Sequence, residues 1–239
     1  MIYKMNTRVK FHQIGLDRKL TLAGLIEMFQ DCGNLHGEDT GVTLEYQDEI
    51  KQSWVISSWQ LIIDEWPRLG EEVVVSTWGY YAKRFLALRN FTLTSPDGSK
   101  TYAKADSHWV MLSHETGLPV RVKPEVLDMY GLEPEESKLP DDFPGRVIPL
   151  AENGEMKEPF EIVPYMLDAN GHVNNCQYIK LARTQIREEF PYRCFGAEYV
   201  AQAHLGDVMI PRIAKLEDGW QIALLKPDGK PYLVTEWKE

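Results

Sequence analysis

The sequence predicts an α+β protein built from two similar halves, each with an antiparallel sheet wrapped around a central helix. Two observations support this prediction. One amphipathic helix followed by several strands occurs twice along the 239 residues, and the same short turn signals recur in both halves. The composition, with 44% hydrophobic and 26% charged residues, is sufficient for a sizeable core.

The first half opens with a polar strand at 8–13 and a helix. Leu22, Leu25, Ile26 and Phe29 follow the spacing i, i+3, i+4, i+7, which places them on one buried face of that helix. Long runs rich in aromatic and β-branched residues come next and favour an antiparallel sheet with one buried face. These predicted strands are 53–63, 72–78, 85–94 and 99–112.

The second half repeats this order. A strand at 160–165 precedes a helix that carries Ile179, Ala182 and Ile186 on one face. Further alternating runs then predict the matching sheet. They lie at 199–203, 208–216, 221–226 and 231–237.

Two turn signals indicate that the halves arose as a repeat. A Leu-Gly-acid turn occurs at 69–71 and again at 205–207, and Pro-Asp-Gly occurs at 96–98 and at 227–229. Asp-Gly between alternating apolar runs is a strong hairpin signal. Because pairing between the halves would bury exposed sheet edges, we expect one pseudo-dimer rather than two independent domains.

A proline-rich stretch separates the two halves. Five of the 14 prolines and a cluster of acidic residues lie at 124–156, where few positions are apolar at a helical or strand period. We therefore predict an N-terminal half at 1–123, a linker at 124–156 and a C-terminal half at 157–239.

The charge and the apolar pattern exclude several classes of protein. A net charge of −10 argues against nucleic acid as a partner, because phosphate neutralisation needs a basic surface. No apolar run approaches the 18 residues of a membrane span. Residues 1–19 show no secretory signal, so we expect a cytoplasmic protein.

The cysteines and glycines predict neither a metal site nor a cofactor. Cys32, Cys176 and Cys194 are an odd number without metal-ligand spacing, which fits a reducing compartment. The glycines form no phosphate-binding loop ahead of a helix, so a nucleotide cofactor has no support.

The residues with the clearest chemical potential lie at 165–180, just before the second helix. Asp168, Asn170, His172, Asn174 and Asn175 fall within eight residues. Any one of them is an ordinary turn residue, but the whole cluster is costly to bury without a purpose. His, Asn and Asp side chains in this arrangement can activate a water molecule for acyl transfer.

The beginning of this helix predicts a site for negative charge. Gly171 supplies the backbone freedom for a tight turn, and Asn174 is a candidate N-cap. The amides of Val173, Asn174 and Asn175 then have no partner within the helix and could bind an oxyanion. The first half keeps an aspartate at position 17 but lacks the Asn and His, which suggests one catalytic half and one half that shapes a binding cavity.

The pattern D-x-N-x-H-V-N-N-x-x-Y at 168–178 resembles the active-site motif of the acyl-acyl-carrier-protein (acyl-ACP) thioesterases, which are double hot-dog enzymes. A shorter form of this pattern also occurs in single hot-dog acyl-CoA thioesterases. The Asn two residues before the His, the two halves and the length favour the carrier-protein group, in its bacterial form. Residues 20–30, His36 and Gly41 also resemble the first helix of that family.

The resemblance implies roles for individual residues and a partner. Asn170 and His172 would position and activate water, Asp168 would orient the Asn or His side chain, and the helix amides would polarise the thioester carbonyl. The partner would be acyl carrier protein carrying an acyl-phosphopantetheine group. An acyl-CoA thioesterase and a non-catalytic acyl-binding protein are the alternatives, and a homodimer remains open.

One departure from the family concerns the strand after the helix. Family members often carry Tyr-x-x-Glu there, in some followed by Cys. Here the same register from Tyr199 places Gln202 at the Glu position and Ala203 at the Cys position. Gln202 is therefore predicted to position water, which leaves His172 and Asp168 as the titratable candidates.

Docking of an acidic carrier protein requires a local basic patch, because this chain is itself acidic. One candidate set is Lys180, Arg183 and Arg187 on the outer face of the second helix, and another is Lys83 with Arg84. Either set could equally be an ordinary solvated surface. His36 and His204 are isolated in the sequence and are expected to be structural.

Overall fold

The structure is a computed structural model that describes residues 1–168, 170–186 and 190–239. The chain divides into two units, 1–143 and 144–239. In each unit an antiparallel sheet accompanies one principal helix, and the two sheets have the same strand order. The predicted α+β class with a repeated helix-and-sheet unit is therefore confirmed.

Unit 1 has a five-stranded sheet in the order β1-β3-β4-β5-β2, in which the described neighbours pair antiparallel. The long helix α1 comes before the main strands, as predicted. The elements of unit 1 are β1 (Tyr3–Arg8), α1 (Leu22–Thr40), α2 (Leu44–Glu49), β2 (Gln52–Ile63), β3 (Glu72–Lys83), β4 (Leu86–Thr94), β5 (Thr101–Ser113) and α3 (Pro124–Tyr130).

Helix α1 forms because its ends are capped and one face is apolar. The Thr21 hydroxyl accepts a hydrogen bond from Gly24 N–H at 3.1 Å, and Gly41 ends the helix in the left-handed conformation with φ of +90°. The four residues predicted to share a buried face are all buried, which confirms that prediction. Among them, Phe29 contacts the rings of Trp59 and Phe91 in the sheet.

Unit 2 repeats this arrangement in fewer residues. Its sheet runs β8-β11-β10-β9-β6, with β7 also paired to β9, so each main strand has a counterpart in unit 1. The elements of unit 2 are β6 (Glu155–Met156), β7 (Phe160–Glu161), α4 (Asn175–Thr184), β8 (Cys194–Tyr199), β9 (Val208–Lys215), β10 (Gly219–Leu225) and β11 (Pro231–Lys238).

Both recurrent turns adopt matching backbone conformations. Gly70 and Gly206 have φ of +85° and +82°, and Gly98 and Gly229 have φ of +71° and +84°. Residues other than glycine rarely adopt this left-handed region, so the turns need glycine at these four positions. The agreement in conformation supports the repeat that the sequence predicted.

One predicted strand lies earlier in the chain than expected, at Tyr3–Arg8, and another is shorter than expected, at Phe160–Glu161. In the stretch 8–13 the chain leaves β1 and makes a 3₁₀ turn at Phe11–Gln13, where the Gln13 side chain accepts a hydrogen bond from Lys10 N–H at 3.0 Å. In the stretch 160–165, Pro164 begins another 3₁₀ turn, because proline has no amide hydrogen to continue a strand. Both predictions of a full strand are wrong, because the chain makes a 3₁₀ turn in each stretch.

The predicted linker at 124–156 contains structure of its own. Val126 in α3 is buried in a cluster with Val42 and Met111, and the Trp78 indole N–H donates to Ser137 O at 3.1 Å. The chain from 144 onward belongs to unit 2.

None of the described helices is both long and apolar enough to cross a membrane.

Candidate active site

The loop that precedes α4 is closed by its own backbone. Asp168 N–H donates to His172 O at 2.8 Å, and Gly171 N–H donates to Asp168 O at 3.1 Å. Gly171 adopts φ of +75°, which confirms that this position needs glycine. The loop therefore presents Asn170 and His172 on a tight, hydrogen-bonded turn.

Asp168 acts on this loop through the backbone. Its carboxylate accepts hydrogen bonds from Asn170 N–H at 2.8 Å and from His172 N–H at 3.4 Å. The family resemblance implied that Asp168 orients the Asn or His side chain. The recorded bonds instead orient the two residues by holding their amides, which leaves the Asn170 side chain exposed.

The start of α4 confirms the predicted N-cap and leaves fewer amides that could bind an oxyanion. Asn174 is the N-cap, since its side chain accepts from Cys176 N–H at 2.8 Å. However, Val173 N–H donates to Ala203 O at 3.0 Å and Asn174 N–H donates to Met166 O at 2.9 Å. Both amides are already used, so the prediction that they bind an oxyanion is corrected. Asn175 N–H has no recorded acceptor among the described residues and is the candidate that remains.

Two tyrosine hydroxyls attach the segment after β8 to helix α4. The Tyr178 hydroxyl accepts from Ala203 N–H at 2.8 Å and lies 3.5 Å from Ala201 O, and the Tyr199 hydroxyl donates to Asn175 O at 3.1 Å. Burial raises the pKa of both hydroxyls. They therefore remain protonated and hold this segment beside the His172 loop. The sequence motif contains both tyrosines but does not reveal these partners.

Gln202 lies in the middle of this attached segment. The strand predicted at 199–203 is instead β8, which ends at Tyr199. Val200 and Ala201 N–H still donate to Tyr232 O on β11, but Ala203 N–H donates to the Tyr178 hydroxyl of α4. The Gln202 side chain is exposed, and it makes no recorded hydrogen bond within the described part of the chain. It is available to a ligand, as its proposed role in holding water requires.

His172 is in contact with a second histidine. The ring centroids of His172 and His204 lie 4.8 Å apart with an interplanar angle of 63°, an edge-to-face arrangement. Burial and His204 both lower the pKa of His172, while Asp168 opposes them. The neutral imidazole therefore persists to lower pH than in an ordinary histidine. The sequence gives no periodic signal for this contact, and it was missed.

The basic residues of α4 are less accessible than predicted. Lys180 and Arg183 are half-buried, the Arg183 guanidinium donates to Ile186 O at 2.7 Å, and it stacks on the Phe190 ring at 5.5 Å. Arg187 lies outside the described residues. The exposed pair Lys83 and Arg84 takes part in no recorded ion pair among the ranges that the structure describes.

The arrangement provides the elements needed for water-based acyl transfer. His172 has an imidazole of lowered pKa, a group able to accept a proton, Asn170 and Gln202 are exposed amides, and Asn175 offers an N–H group at a helix start. Cys176 is only 2% exposed, which does not suit a thiol nucleophile. No group of metal-binding side chains occurs within residues 1–168, 170–186 and 190–239.

Solved structures of low sequence identity share the whole fold. An acyl-ACP thioesterase from Bacteroides thetaiotaomicron superimposes with a TM-score of 0.84 at 23% identity, covering 99% of this chain and 97% of that one. The 12:0-ACP thioesterase from Umbellularia californica gives 0.83 at 16% identity, covering 99% and 96%. These likenesses confirm the predicted tandem hot-dog fold.

Sequence comparison identifies the family. The oleoyl-acyl carrier protein thioesterase 1 of Arabidopsis thaliana is 25% identical over 202 residues, which cover 78% of this chain and 55% of that protein. The chain thus spans about half the length of the curated relatives it matches. The family model described as the acyl-ACP thioesterase N-terminal domain matches residues 1–130. Because this match covers more than half of the 239 residues, the chain belongs to the acyl-ACP thioesterase family.

Proposed function

We propose that this protein hydrolyses fatty acyl-ACP thioesters to free fatty acid and carrier thiol. The observation that carries the proposal is His172, a half-buried histidine of lowered pKa, on the same tight loop as the exposed Asn170 and just before a capped helix. Family membership supports the choice of substrate. Unit 1, which has the helix and sheet but no matching Asn and His, is proposed to accommodate the acyl chain.

The reaction proceeds by direct attack of water on the thioester carbonyl carbon. Asn170 and Gln202 hold the water, and the neutral His172 ring accepts one of its protons as the new C–O bond forms. Negative charge develops on the carbonyl oxygen and is stabilised by Asn175 N–H. The C–S bond then breaks, its electron pair leaves on sulfur, and the proton held by His172 neutralises the thiolate.

The proposed function is tested by parallel assays of acyl-ACP and acyl-CoA thioesters over a range of chain lengths. Free thiol and free fatty acid should appear in equal amounts, and turnover should be faster with the carrier substrate. Preference for CoA would favour the acyl-CoA alternative. Tight binding without thiol release would indicate a non-catalytic acyl-binding protein.

Compartment is part of the same proposal. The three cysteines lie within the described residues and form no disulfide bond. Cysteines without disulfide bonds are typical of a reducing compartment, and this supports a cytoplasmic protein.

Carrier docking through the surface of α4 is also proposed. Charge reversal by Lys180→Glu should raise KM for acyl-ACP and leave KM for acyl-CoA nearly unchanged, because only the carrier brings an extended acidic surface. The effect should decrease with added salt, since exposed charges are screened within about 10 Å at 0.1 M. Initial rates at two salt concentrations measure it.

Lys10→Glu is the control, because Lys10 is an exposed lysine of unit 1 and the change in net charge is identical. It should alter KM for neither substrate. If Lys180→Glu weakens both substrates equally, the helix has been damaged and α4 is not the docking surface. If Lys83→Glu raises KM for acyl-ACP and Lys180→Glu does not, the docking surface is at Lys83 and Arg84 instead.

The role of Gln202 leads to a prediction with two variants. Gln202→Ala should slow hydrolysis by about tenfold, because the water loses a hydrogen-bond partner and its attack geometry loosens. Gln202→Glu should retain much of the activity, since the side chains have the same shape. The new carboxylate should add an acidic limb to the pH–rate profile, measured from about pH 3.5 to 9 so that the range brackets ordinary Glu and His values.

Folding provides the control for both variants. Gln202 is exposed, so each change should leave the free energy of unfolding within about 0.5 kcal/mol of wild type. If a folded Gln202→Ala protein has the wild-type rate of hydrolysis at every pH, Gln202 takes no part in the reaction and the correspondence with the family's Glu position is wrong.

A further inference from the structure

His204 is exposed, yet its position is closely determined by a turn. His204 N–H donates to the Asp207 carboxylate at 2.9 Å, and Asp207 N–H donates back to His204 O at 3.1 Å. Gly206 provides the left-handed conformation that the turn requires, with φ of +82°. The equivalent turn in unit 1 holds Arg68 through Glu71 in the same way, so what distinguishes position 204 is the imidazole that the turn carries.

The turn is also attached to the sheet. Burial and the neighbouring Asp207 carboxylate raise the pKa of the Tyr232 hydroxyl on β11 to about 12. Ile162 N–H donates to Asp207 O at 2.8 Å, and Gly206 N–H donates to Ile162 O at 3.0 Å. Asp207 therefore connects His204 to two other parts of unit 2.

This support places the His204 ring against His172. The 4.8 Å separation and the 63° angle bring an edge of one ring onto the face of the other, a favourable geometry for aromatic groups. The contact covers part of His172 and limits rotation of its ring. Gln202, two residues before His204 in the chain, carries an amide, which cannot accept a proton at neutral pH.

The charged and titratable groups around the pair come from several elements. Asp168 lies on the His172 loop, Asp207 in the turn, and the Tyr178 and Tyr232 hydroxyls on α4 and β11. The Glu161 carboxylate on β7 lies 4.0 Å from the position that a Cβ atom on Gly206 would occupy. Asp168 favours a proton on His172, whereas burial and a charged His204 oppose it.

We propose that His204 is a positioning residue of the hydrolytic site, which packs its ring against His172 and holds that ring in its reactive orientation. This inference deepens the proposed function and rests on it. His204 does not need to touch the substrate, because it acts through the His172 ring.

The first test is a histidine side-chain NMR titration of wild type and His204→Ala. The pKa of His172 should rise in the variant, because its ring loses part of its cover and a neighbouring group that lowers that pKa. The rate depends on the neutral ring and falls as the pH drops through this pKa. The acidic limb of the kcat/KM profile should therefore move to higher pH, and kcat should fall about tenfold as the ring loosens.

His204→Phe separates ring packing from a general structural role. Phenylalanine keeps an aromatic edge against His172 and keeps that ring covered, but it carries no charge. This variant should recover most of kcat, with the pKa of His172 below its value in His204→Ala. His12→Ala, at an exposed histidine of unit 1, is the control and should change neither quantity.

Two results would overturn the proposal. One is an unchanged His172 titration in a folded His204→Ala protein, and the other is a kcat that His204→Phe does not restore. The titration needs no substrate, so it tests the histidine pair even if wild type fails to hydrolyse acyl-ACP. That failure would overturn the proposed function alone.

Discussion

Replacing His172 with alanine should lower kcat for acyl-ACP hydrolysis by about 10² or more, the usual scale for loss of a general acid–base group. The physical reason is that the proposed base is lost, while Gln202 cannot take a proton and Asp168 is bonded to loop amides. The measurement is single-turnover kinetics on the acyl carrier substrate.

His172→Gln provides the matched comparison. Glutamine fills most of the same space and forms hydrogen bonds but cannot accept the proton, so its kcat should fall almost as far. Circular dichroism and thermal unfolding establish that both proteins are folded. Near wild-type turnover in either folded variant would refute the assignment of His172 as the base.

Asn170→Ala should lower kcat by roughly 10², because the attacking water loses a positioned amide in the transition state. The loop itself should survive, since Asp168 holds position 170 through its backbone N–H and the Asn170 side chain is exposed. The free energy of unfolding should therefore stay within about 0.5 kcal/mol of wild type. Steady-state kinetics and denaturant unfolding provide the two readouts.

Asn153→Ala, at another exposed loop asparagine in unit 2, is the control and should change neither readout. Should Asn170→Ala unfold more easily and also lose activity, its effect would be structural. Should it retain full kcat while stable, Asn170 would have no part in placing the water.

Local patterns in the sequence predicted the repeated architecture well. The apolar spacing of Leu22, Leu25 and Phe29 identified the buried face of α1, and the glycine turns marked equivalent hairpins. The N-cap at Asn174 and the turn at Gly171 were also predicted. Each of these signals depends on neighbours within a few residues, which is why the sequence reveals them.

The details of the site depend on contacts between distant segments. Val173 and Asn174 were predicted to offer free amides, but Ala203 and Met166 supply carbonyls to them from other parts of the chain. The contact between His172 and His204 likewise requires the supported turn at Asp207. No periodicity in the sequence specifies such tertiary pairings.

The helix at 124–130 was not predicted, because its stability also depends on contacts with distant segments. Proline density suggested an irregular connection, but proline is well tolerated at the first turn of a helix, where Pro124 lies. Packing of Val126 into a cluster with Val42, Met111 and Val122 then stabilises the short helix.

The central claim is that water attacks the thioester directly at the His172 loop. A single turnover of acyl-ACP in water enriched in ¹⁸O, followed by mass spectrometry of the fatty acid, tests it most directly. The account predicts one ¹⁸O atom in every product molecule from the first turnover, with an equal amount of free carrier thiol. Fatty acid that contains only ¹⁶O in that turnover would show that a protein carboxylate had supplied the oxygen, and would contradict the account.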